Sequence, residues 1–418
     1  MKNLSTMLLV TTLLANGAHA IDMASGKLEG DIRAQYYSES VEGYTDAANV
    51  KQDPDPDIGM SGIGINLVTT LDSGSGIQIE LGASMAIPTS ESNDTDAGSN
   101  AFGKVNDAGD GSEMYTTLTR ANVSATSNCG FFKIGYQELD TPMAGSDDVR
   151  LVPNSFLALT AGHTGIKNVA LVITYITQMA GLVDGNADNA ERYNSMAAQA
   201  VGSTYLDGNV TTDVEDIPVT AVAAIYENDE KDFSWQVWHY TMSEPIPGMG
   251  AVTSAYADTS IGMGPVTLSA QYMTFGTDLW SNTASGLMAE LSFGAFGIST
   301  AMNTYTFEDN GIGSMQTPLY YAWGGYPEYV AGEEVDASGA DWDGGSSYMI
   351  SMAYDEPGLL NASATYLSYS DVYNVVDVIL GYEGEHTHIN MVYEMVTVAD
   401  NKVEGNYAVG KVHLSYHF

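Results

Sequence analysis

The C-terminal segment 412–418 alternates strictly between apolar and polar side chains. One face carries Val412, Leu414, Tyr416 and Phe418, and the other carries His413, Ser415 and His417, which continue from Lys411. A period of two residues is typical of a β-strand with one apolar and one polar face. Because this strand reaches an aromatic residue without a polar tail, we expect both of its edges to be paired. A closed antiparallel barrel achieves this by joining the last strand to the first.

The first twenty residues have the features of a secretory signal peptide. Lys2 supplies the positive start, residues 7–15 are apolar, and residues 18–20 read Ala-His-Ala, a typical cleavage site. The apolar run is too short to cross about 30 Å of hydrocarbon as a helix. We therefore expect residues 1–20 to be removed on export and residues 21–418 to form the folded protein. No later stretch has the apolar length of a membrane helix, so any crossing is expected to be made by strands.

Composition favours many short strands over a soluble multidomain chain. The sequence has 44 Gly and 26 Tyr with only 16% charged residues, which suits strands, turns and aromatic girdles. The single cysteine, Cys129, cannot form an intramolecular disulfide. The formal charge of -40 argues against nucleic acid as a partner and favours cations.

The spacing of the strand patterns predicts an all-β antiparallel transmembrane barrel. We place eighteen strands along the chain, with sixteen as the alternative, joined by short turns that alternate with long loops. Among them are strands at 130–137 and 155–162, the second followed by a short connection at 163–167. Short periplasmic turns and long extracellular loops are the pattern of bacterial outer-membrane barrels. Two long segments, near residues 138–154 and 307–345, are expected to fold inward. The second is acidic but rich in tyrosine and tryptophan, which a disordered acidic tail lacks.

Two stretches of sequence resemble the OprD-type substrate-specific porins of outer membranes. The first contains Thr141-Pro142, Asp148-Val149-Arg150-Leu151-Val152-Pro153 and Phe156, as in the passage from a strand into the constriction loop of that family. The second, 321–348, contains Gly324-Gly325-Tyr326-Pro327-Glu328 and Ala340-Asp341-Trp342-Asp343-Gly344-Gly345, and looks like a late extracellular loop. The likeness is closest to epsilonproteobacterial forms. It implies a barrel whose third and seventh loops narrow a pore for passive diffusion of small solutes and ions.

The chain departs from the family in its basic residues. Better-known members line the lumen with a ladder of basic side chains that guides carboxylates. Beyond the signal peptide this chain has only Arg33, Arg120, Arg150 and Arg192 as arginines. We therefore predict a porin that prefers cations.

The predicted constriction combines the third long loop with charged positions on the strands. The candidates are Asp147, Asp148 and Arg150 in the loop, facing Arg33, Arg120, Lys133, Glu29, Asp31 and Glu80 on the wall. Opposed charges across a narrow opening orient dipolar solutes, and an acidic excess raises the local concentration of cations. The alternative is that Asp148 and Arg150 pair only to hold the shape of the loop.

The sequence gives only weak signs of a metal site or of enzyme activity. Asp336, Asp341 and Asp343 could hold calcium, although a solvated acidic loop is the better explanation of them. His386 and His388 are two residues apart and could share one face of a strand, without an evident third metal ligand. The motifs of nucleotide-binding proteins, hydrolases and zinc proteases are absent, so we predict no enzyme and no cofactor. A surface adhesin or structural barrel with a plugged lumen remains the alternative function.

The expected surroundings follow from an outer-membrane location. We predict contacts with outer-membrane lipid and lipopolysaccharide, small solutes and cations as cargo, and a homotrimer. Aromatic residues near predicted strand ends are assigned to girdles at the membrane interface. The alternative is a row of rings in the pore on which sugars stack. These residues are Trp235, Trp238, Tyr240, Tyr366, Tyr369, Tyr382, Tyr393 and Tyr416.

Overall fold

The structure is a computed structural model that describes most of the strands and short turns. The described residues are 25–41, 58–90, 104–105, 112–142, 144–146, 151–180, 194–195, 217–244, 250–277, 281–306, 344–356, 360–369, 373–398 and 406–418. The predicted signal peptide and almost all of the long segment 307–345 lie outside these residues. Among the residues that are described, no helix is long and apolar enough to span a bilayer.

Eighteen long antiparallel strands form the described fold. The first nine are β1 (Ser25–Val41), β2 (Ile58–Asp72), β3 (Ile77–Ser90), β4 (Tyr115–Ser127), β5 (Gly130–Gln137), β6 (Ser155–Ile166), β7 (Val169–Ala180), β8 (Val219–Glu227) and β9 (Phe233–Met242). The others are β10 (Val252–Met263), β11 (Val266–Gly276), β12 (Ser281–Phe293), β13 (Phe296–Thr306), β14 (Gly344–Asp355), β15 (Leu360–Tyr369), β16 (Tyr373–Glu383), β17 (Thr387–Val398) and β18 (Tyr407–His417).

Short additional strands accompany the long ones. Asn194–Ser195 pairs with β7 at Gln178 and Met179. Lys104–Val105 pairs with Ser112–Glu113, and Asp140–Thr141 pairs with Ala144–Gly145. The last of these hairpins lies in the connection between β5 and β6.

The sheet closes on itself through its two terminal strands. Each long strand pairs with the next in sequence, and β18 pairs with β1 from Asp31 opposite His417 to Val41 opposite Tyr407. Closure removes the two free edges that an open sheet would expose. The predicted barrel of eighteen strands is confirmed, and the alternative of sixteen is wrong.

Turns at one end of the barrel are short because their residues tolerate left-handed backbone angles. Asn168 has a φ of 66°, and Gly264 and Gly294 each have a φ of 65°. The sequence predicted a connection at residues 163–167, which is wrong in its extent. β6 continues to Ile166, and only Lys167 and Asn168 separate it from β7. The strands that precede the longest connections end at Ser90, Gln137, Ala180 and Thr306, all at the opposite end of the barrel.

The outer face of the barrel is apolar, as a lipid-facing surface requires. Leu28, Leu287 and Met352 are exposed by 63%, 66% and 58%, so these large side chains lie outside any protein core. Ile32 and Leu414 also point outward and are exposed by 44% and 41%. The two strands that carry them therefore pair edge to edge around a lumen, and they do not stack as two sheets over a dry core.

Aromatic residues cluster on the outer face near the short turns. Tyr226 stacks on Trp235 at 5.9 Å between ring centroids, and Phe296 contacts Phe293 and Tyr354 at 5.8 and 5.0 Å. Such rings suit a membrane interface girdle. Other predicted girdle residues also point outward, namely Tyr366, Tyr382, Tyr393 and Tyr416.

Two of the predicted girdle residues point the other way. Trp238 and Tyr240 are only 3% and 2% exposed, whereas their neighbour Val237 is 48% exposed. Successive residues of a strand face opposite sides, so Trp238 and Tyr240 belong to the inner wall. The girdle assignment is wrong for this pair.

Candidate functional site

Charged side chains line the inner wall of β1 and β2. Arg33 donates from Nε to Asp31 Oδ2 at 2.7 Å, and both side chains are largely buried. Asn66, which stands opposite Asp31 on β2, donates from Nδ2 to the same oxygen at 2.9 Å. Near the start of β1, Lys27 pairs with Glu29 in an exposed ion pair. Predicted wall residues on β1 therefore point into the lumen, but they pair with one another.

Two further ion pairs continue the charged wall across β3, β4 and β5. Lys133 Nζ lies 2.7 Å from Glu80 Oε2, reaching across β4, which lies between their strands. Arg120 binds Glu138 with two nitrogens, its Nε at 3.2 Å from Oε1 and its Nη2 on Oε2. Bidentate pairing of this kind fixes the orientation of both side chains and also balances their charges. Glu138, the first residue after β5, was missed as a site residue because it precedes the acidic loop motif.

The connection between β5 and β6 is closed at its base by Ser146. The Ser146 hydroxyl donates to Asn154 O at 2.6 Å and accepts from Leu139 N–H at 3.1 Å, while Ser146 N–H donates to Leu139 O at 2.8 Å. Thr141 Oγ1 donates to Ala144 O at 2.9 Å and so closes the small hairpin. Residues at both ends of the loop are thereby held together. We call this connection, residues 138–154, the third loop.

The far part of the third loop touches the opposite side of the charged wall. Asn66 Nδ2 donates to Leu151 O at 3.3 Å, and both residues are buried. A Cβ atom added to Gly64 would lie 2.5 Å from Leu151 O, so only glycine permits this approach. Leu151, Val152 and Phe156 are buried as well. The described part of the loop therefore contacts the inner wall of β2, while Asp147, Asp148 and Arg150 lie outside the described residues.

An apolar cluster covers the inner wall on the other side of the lumen. Trp238 and Tyr240 stack at 5.8 Å between centroids, and Trp238 Nε1 donates to Gln236 Oε1 at 2.7 Å. Two residues of the third loop, Leu139 and Ala144, belong to the same buried cluster. Its other members on strands β6 to β12 include Phe156, Ile176, Met179, Val219, Met242, Tyr256, Met273 and Phe275. The lumen wall thus has a charged arc on β1–β5 and an apolar arc on β6–β12, whose buried cluster also includes Leu367, Val375 and Val396 on β15–β17.

Known structures share this architecture. OpdK of Pseudomonas aeruginosa, solved with vanillate, matches with a TM-score of 0.67 at 14% identity over 95% of this chain and 99% of that chain. OccK9 (OpdG) of Pseudomonas aeruginosa matches with a TM-score of 0.68 at 16% identity, with the same coverage of both chains. A BenF-like porin of Pseudomonas fluorescens gives a TM-score of 0.67 at 13% identity, again over 95% and 99%.

The chain has the OprD-type porin fold. The fold implied by the sequence resemblance is therefore confirmed. No protein-family model and no curated protein sequence matches the chain. The similar structures named above come from Pseudomonas, and a further one comes from Acinetobacter baumannii, so the resemblance to epsilonproteobacterial forms stays a prediction.

Within this porin fold, β16, β17 and β18 bring further charged residues to the inner wall. Asp377 on β16 stands directly opposite Glu394 on β17. Lys411 on β18 stands opposite Val392, and its Nζ lies 5.9 Å from the centre of the Tyr37 ring. Sequence reasoning missed Asp377 and Glu394, because their juxtaposition depends on the register of a hairpin.

His386 and His388 lie against different aromatic rings. The ring of His386 lies 6.0 Å from that of Tyr416, whereas the ring of His388 lies 6.4 Å from that of His413. Gln35 Nε2 is 2.7 Å from His413 Nδ1. Among the described residues, no group of three His, Cys, Asp or Glu side chains could hold a metal ion. The predicted calcium ligands Asp336, Asp341 and Asp343 lie outside those residues, and the calcium site stays a prediction.

Proposed function

We propose that the protein is a porin of the bacterial outer membrane that passes small hydrophilic solutes and ions by passive diffusion and prefers cations. The observation that carries the proposal is the closed barrel with a polar, charged arc along one side of its lumen. A lipid-facing barrel with such an interior gives water and ions a path across the membrane, whereas the surrounding hydrocarbon excludes them. One of the similar structures is itself described as a porin.

The cation preference follows from the balance of charge on the inner wall. Arg33, Lys133 and Arg120 are each matched by a carboxylate, namely Asp31, Glu80 and Glu138. These pairs contribute little net potential. Asp258, Asp377 and Glu394 add carboxyl groups at other inward positions, against the amino group of Lys411 on β18. In a narrow, low-dielectric lumen an acidic excess lowers the energy of a passing cation and raises that of an anion.

We propose that the third loop forms the constriction, with Asp147, Asp148 and Arg150 at its narrowest part. Support comes from Leu151, the residue after Arg150, whose carbonyl contacts Asn66 on β2. A second support is the apolar packing of Leu139 and Ala144 on the other side. A loop attached at both sides would cross the lumen and leave the passage beside the charged arc. Arg33, Asp31, Glu29, Glu80, Lys133 and Arg120 would then form the facing wall.

The proposed surroundings are those of an outer-membrane barrel. We propose that the apolar outer face contacts lipid and lipopolysaccharide, and that three copies associate as a homotrimer. Native mass spectrometry in detergent would report the assembly directly. A predominantly monomeric species under mild conditions would remove the trimer and leave the channel proposal standing.

Reversal potentials across a KCl gradient in planar bilayers test the function. We expect stepwise channel insertions, a potential that indicates K⁺ over Cl⁻ permeability, and a reduced preference in D147N/D148N. E230Q is the matched control, because Glu230 is an exposed residue of a short turn away from the lumen. Anion preference in the unaltered protein would overturn the charge argument. Folded protein that never conducts would instead favour the plugged adhesin or structural barrel.

A further inference from the structure

A row of polar side chains crosses the apolar arc of the inner wall at one level. Gln236 on β9 stands opposite Asp258 on β10, and Asp258 stands opposite Gln271 on β11. The row continues through Gly286 on β12 to Asn303 on β13. All of these positions lie on the same side of the sheet as the buried inner residues of their strands, so they face the lumen.

Two neighbours hold the Asp258 carboxylate in one orientation. Gln236 Nε2 donates to Asp258 Oδ2, and the Tyr256 hydroxyl also hydrogen-bonds the carboxylate. Gln236 is fixed in turn, because its Oε1 accepts from Trp238 Nε1 at 2.7 Å. A glutamine whose oxygen accepts from one neighbour can present its NH₂ group to another. Asp258 is therefore preorganised by the residues around it.

The amide groups on the other side of Asp258 are engaged with one another. Gln271 Nε2 donates to Asn303 Oδ1 at 3.2 Å, and Asn303 Nδ2 donates to Ser347 Oγ at 3.2 Å. The first bond reaches across β12 because the residue between is Gly286, where a Cβ atom would overlap Asn303 Oδ1. Gln271 and Asn303 are buried, whereas Asp258, the charged member of the row, is only half-buried.

The described strands around Asp258 contain no base that could balance its charge. Strands β6 to β15 hold no lysine and no arginine. Lys167 and Lys231 belong to short turns at the end of the barrel, where they pair with Asp229 and Glu227. On the charged arc, by contrast, the carboxylates are matched by basic side chains. A carboxylate without a basic partner on a narrow lumen attracts cations from solution.

The position of Asp258 along the pore places it just past the third loop. It lies one inward position nearer the short turns than Tyr256, which belongs to the same buried cluster as Leu139 of that loop. The next inward level carries hydroxyl groups, with Ser269 Oγ donating to Ser260 Oγ at 3.1 Å. The carboxylate therefore stands between an aromatic and a hydroxyl-lined stretch of wall, and a solute that has passed the loop would meet it next.

We propose that Asp258 binds the cationic group of organic solutes that carry N–H donors, and so helps to select which cations pass. The inference rests on the proposed porin function and names a solute class for it. A metal ion would need several oxygen ligands, whereas a carboxylate that already accepts two hydrogen bonds suits a further hydrogen-bond donor. A guanidinium group is well matched, because its donors form a planar array and it is more weakly hydrated than an ammonium group.

Saturation-transfer NMR on the barrel in a non-ionic detergent tests the binding. The probe is n-butylguanidinium, and its neutral control is n-butylurea, which has nearly the same shape and also carries N–H donors. We expect magnetisation transfer from the unaltered protein to n-butylguanidinium and little transfer to n-butylurea. D258N should weaken binding of the cation by roughly tenfold, because hydrogen bonds between charged groups are the strong ones.

E290Q is the matched control variant, because it removes the same charge from the same wall. Glu290 on β12 faces inward, beside the outward-facing Leu291, and stands four residues nearer the short turns than Gly286. We expect E290Q to keep its binding of n-butylguanidinium. Equal losses in D258N and E290Q would overturn the proposal, since both would then reflect overall charge. Equal binding of the cation and of n-butylurea by the unaltered protein would overturn it as well.

Current recordings separate this proposal from the porin function. We expect n-butylguanidinium to interrupt the K⁺ current in planar bilayers, at a roughly tenfold higher concentration in D258N than in E290Q. A barrel that binds the cation through Asp258 but never conducts retains the site and loses the porin function. A barrel that conducts, but binds the cation equally well in D258N, retains the porin function and loses the site.

Discussion

Phe418 and Gly30 exchange two backbone hydrogen bonds. Phe418 N–H donates to Gly30 O at 3.0 Å, and Gly30 N–H donates to Phe418 O at 3.2 Å. The pair lies at the short-turn end of the seam between β18 and β1. A Cβ atom at position 30 would stand 2.8 Å from Phe418 Cζ and 2.7 Å from Asn66 O. Phe418 can therefore pair with position 30 of β1 in this way only if the residue there is glycine.

Replacing Gly30 by alanine should weaken the seam. The added methyl group must displace the Phe418 ring and the backbone of β2, and overpacking of this kind costs about 1–3 kcal/mol. Heating in SDS before electrophoresis reports the fraction of folded barrel at each temperature, and G30A should convert to the unfolded band at a lower temperature than the unaltered protein. The control is G297A, because a Cβ atom at Gly297 meets nothing within 4 Å. Equal transitions for the two variants would contradict the steric argument.

The bidentate pair of Arg120 and Glu138 should steady the base of the third loop. The two side chains are 28% and 31% exposed, so we expect the pair to contribute only about 1 kcal/mol after solvent screening. That is enough to change how often the loop moves. Both R120Q and E138Q should increase open-channel current noise in single-channel recordings, and the swap R120E/E138R should reduce it again.

These two substitutions separate anchoring from simple charge effects. R120Q makes the wall more negative and E138Q makes it less negative, so their effects on selectivity should be opposite. Noise should rise in both variants if the pair holds the loop. Shifts in selectivity with unchanged noise would show that the pair matters only through its charge.

The barrel could be predicted from sequence because strand alternation and connection length are local signals. The pattern from Val412 to His417 indicates both the strand and its lipid-facing side, and β5 agrees with the sequence prediction at both of its ends, Gly130 and Gln137. Extension of β6 to Ile166 was missed, because residues 163–167, which include Gly165, read as a turn. Lys167 and Asn168 make the tighter turn instead.

The lumen could be predicted only in part. Arg33, Lys133 and Glu80 were identified as wall residues from alternation within their own strands. Their partners depend on the register between strands. A register shift of one residue would turn every side chain of a strand to the opposite face of the sheet. The inward side of Trp238 was missed for a different reason: β9 has aromatic residues on both faces. The contact between Leu151 and Asn66 joins distant parts of the chain, and no local pattern encodes it.

Trp238 should make a larger contribution to stability than an outward residue of the same strand. Its side chain is almost fully buried in the apolar arc and stacks on Tyr240. W238A would remove that packing and leave a cavity, at a cost of about 3–5 kcal/mol. V237A is the control, because Val237 points outward from the adjacent position on β9. Urea unfolding in detergent, followed by fluorescence, should show a much lower midpoint for W238A, and equal midpoints would contradict the assignment of Trp238 to a packed inner cluster.

Gly64 gives the sharpest test of how the third loop attaches to the wall. In G64A the methyl group would lie 2.5 Å from Leu151 O, so the loop must withdraw from β2 and lose the hydrogen bond from Asn66. If the loop narrows the pore, its withdrawal should change single-channel conductance without preventing folding. G262A is the control, because its nearest atom would lie at an ordinary contact distance of 3.5 Å. N66A should reproduce the direction of the G64A effect, since it removes the same attachment from the other side. Unchanged conductance in G64A and N66A, with both proteins folded, would mean that this contact does not set the width of the passage.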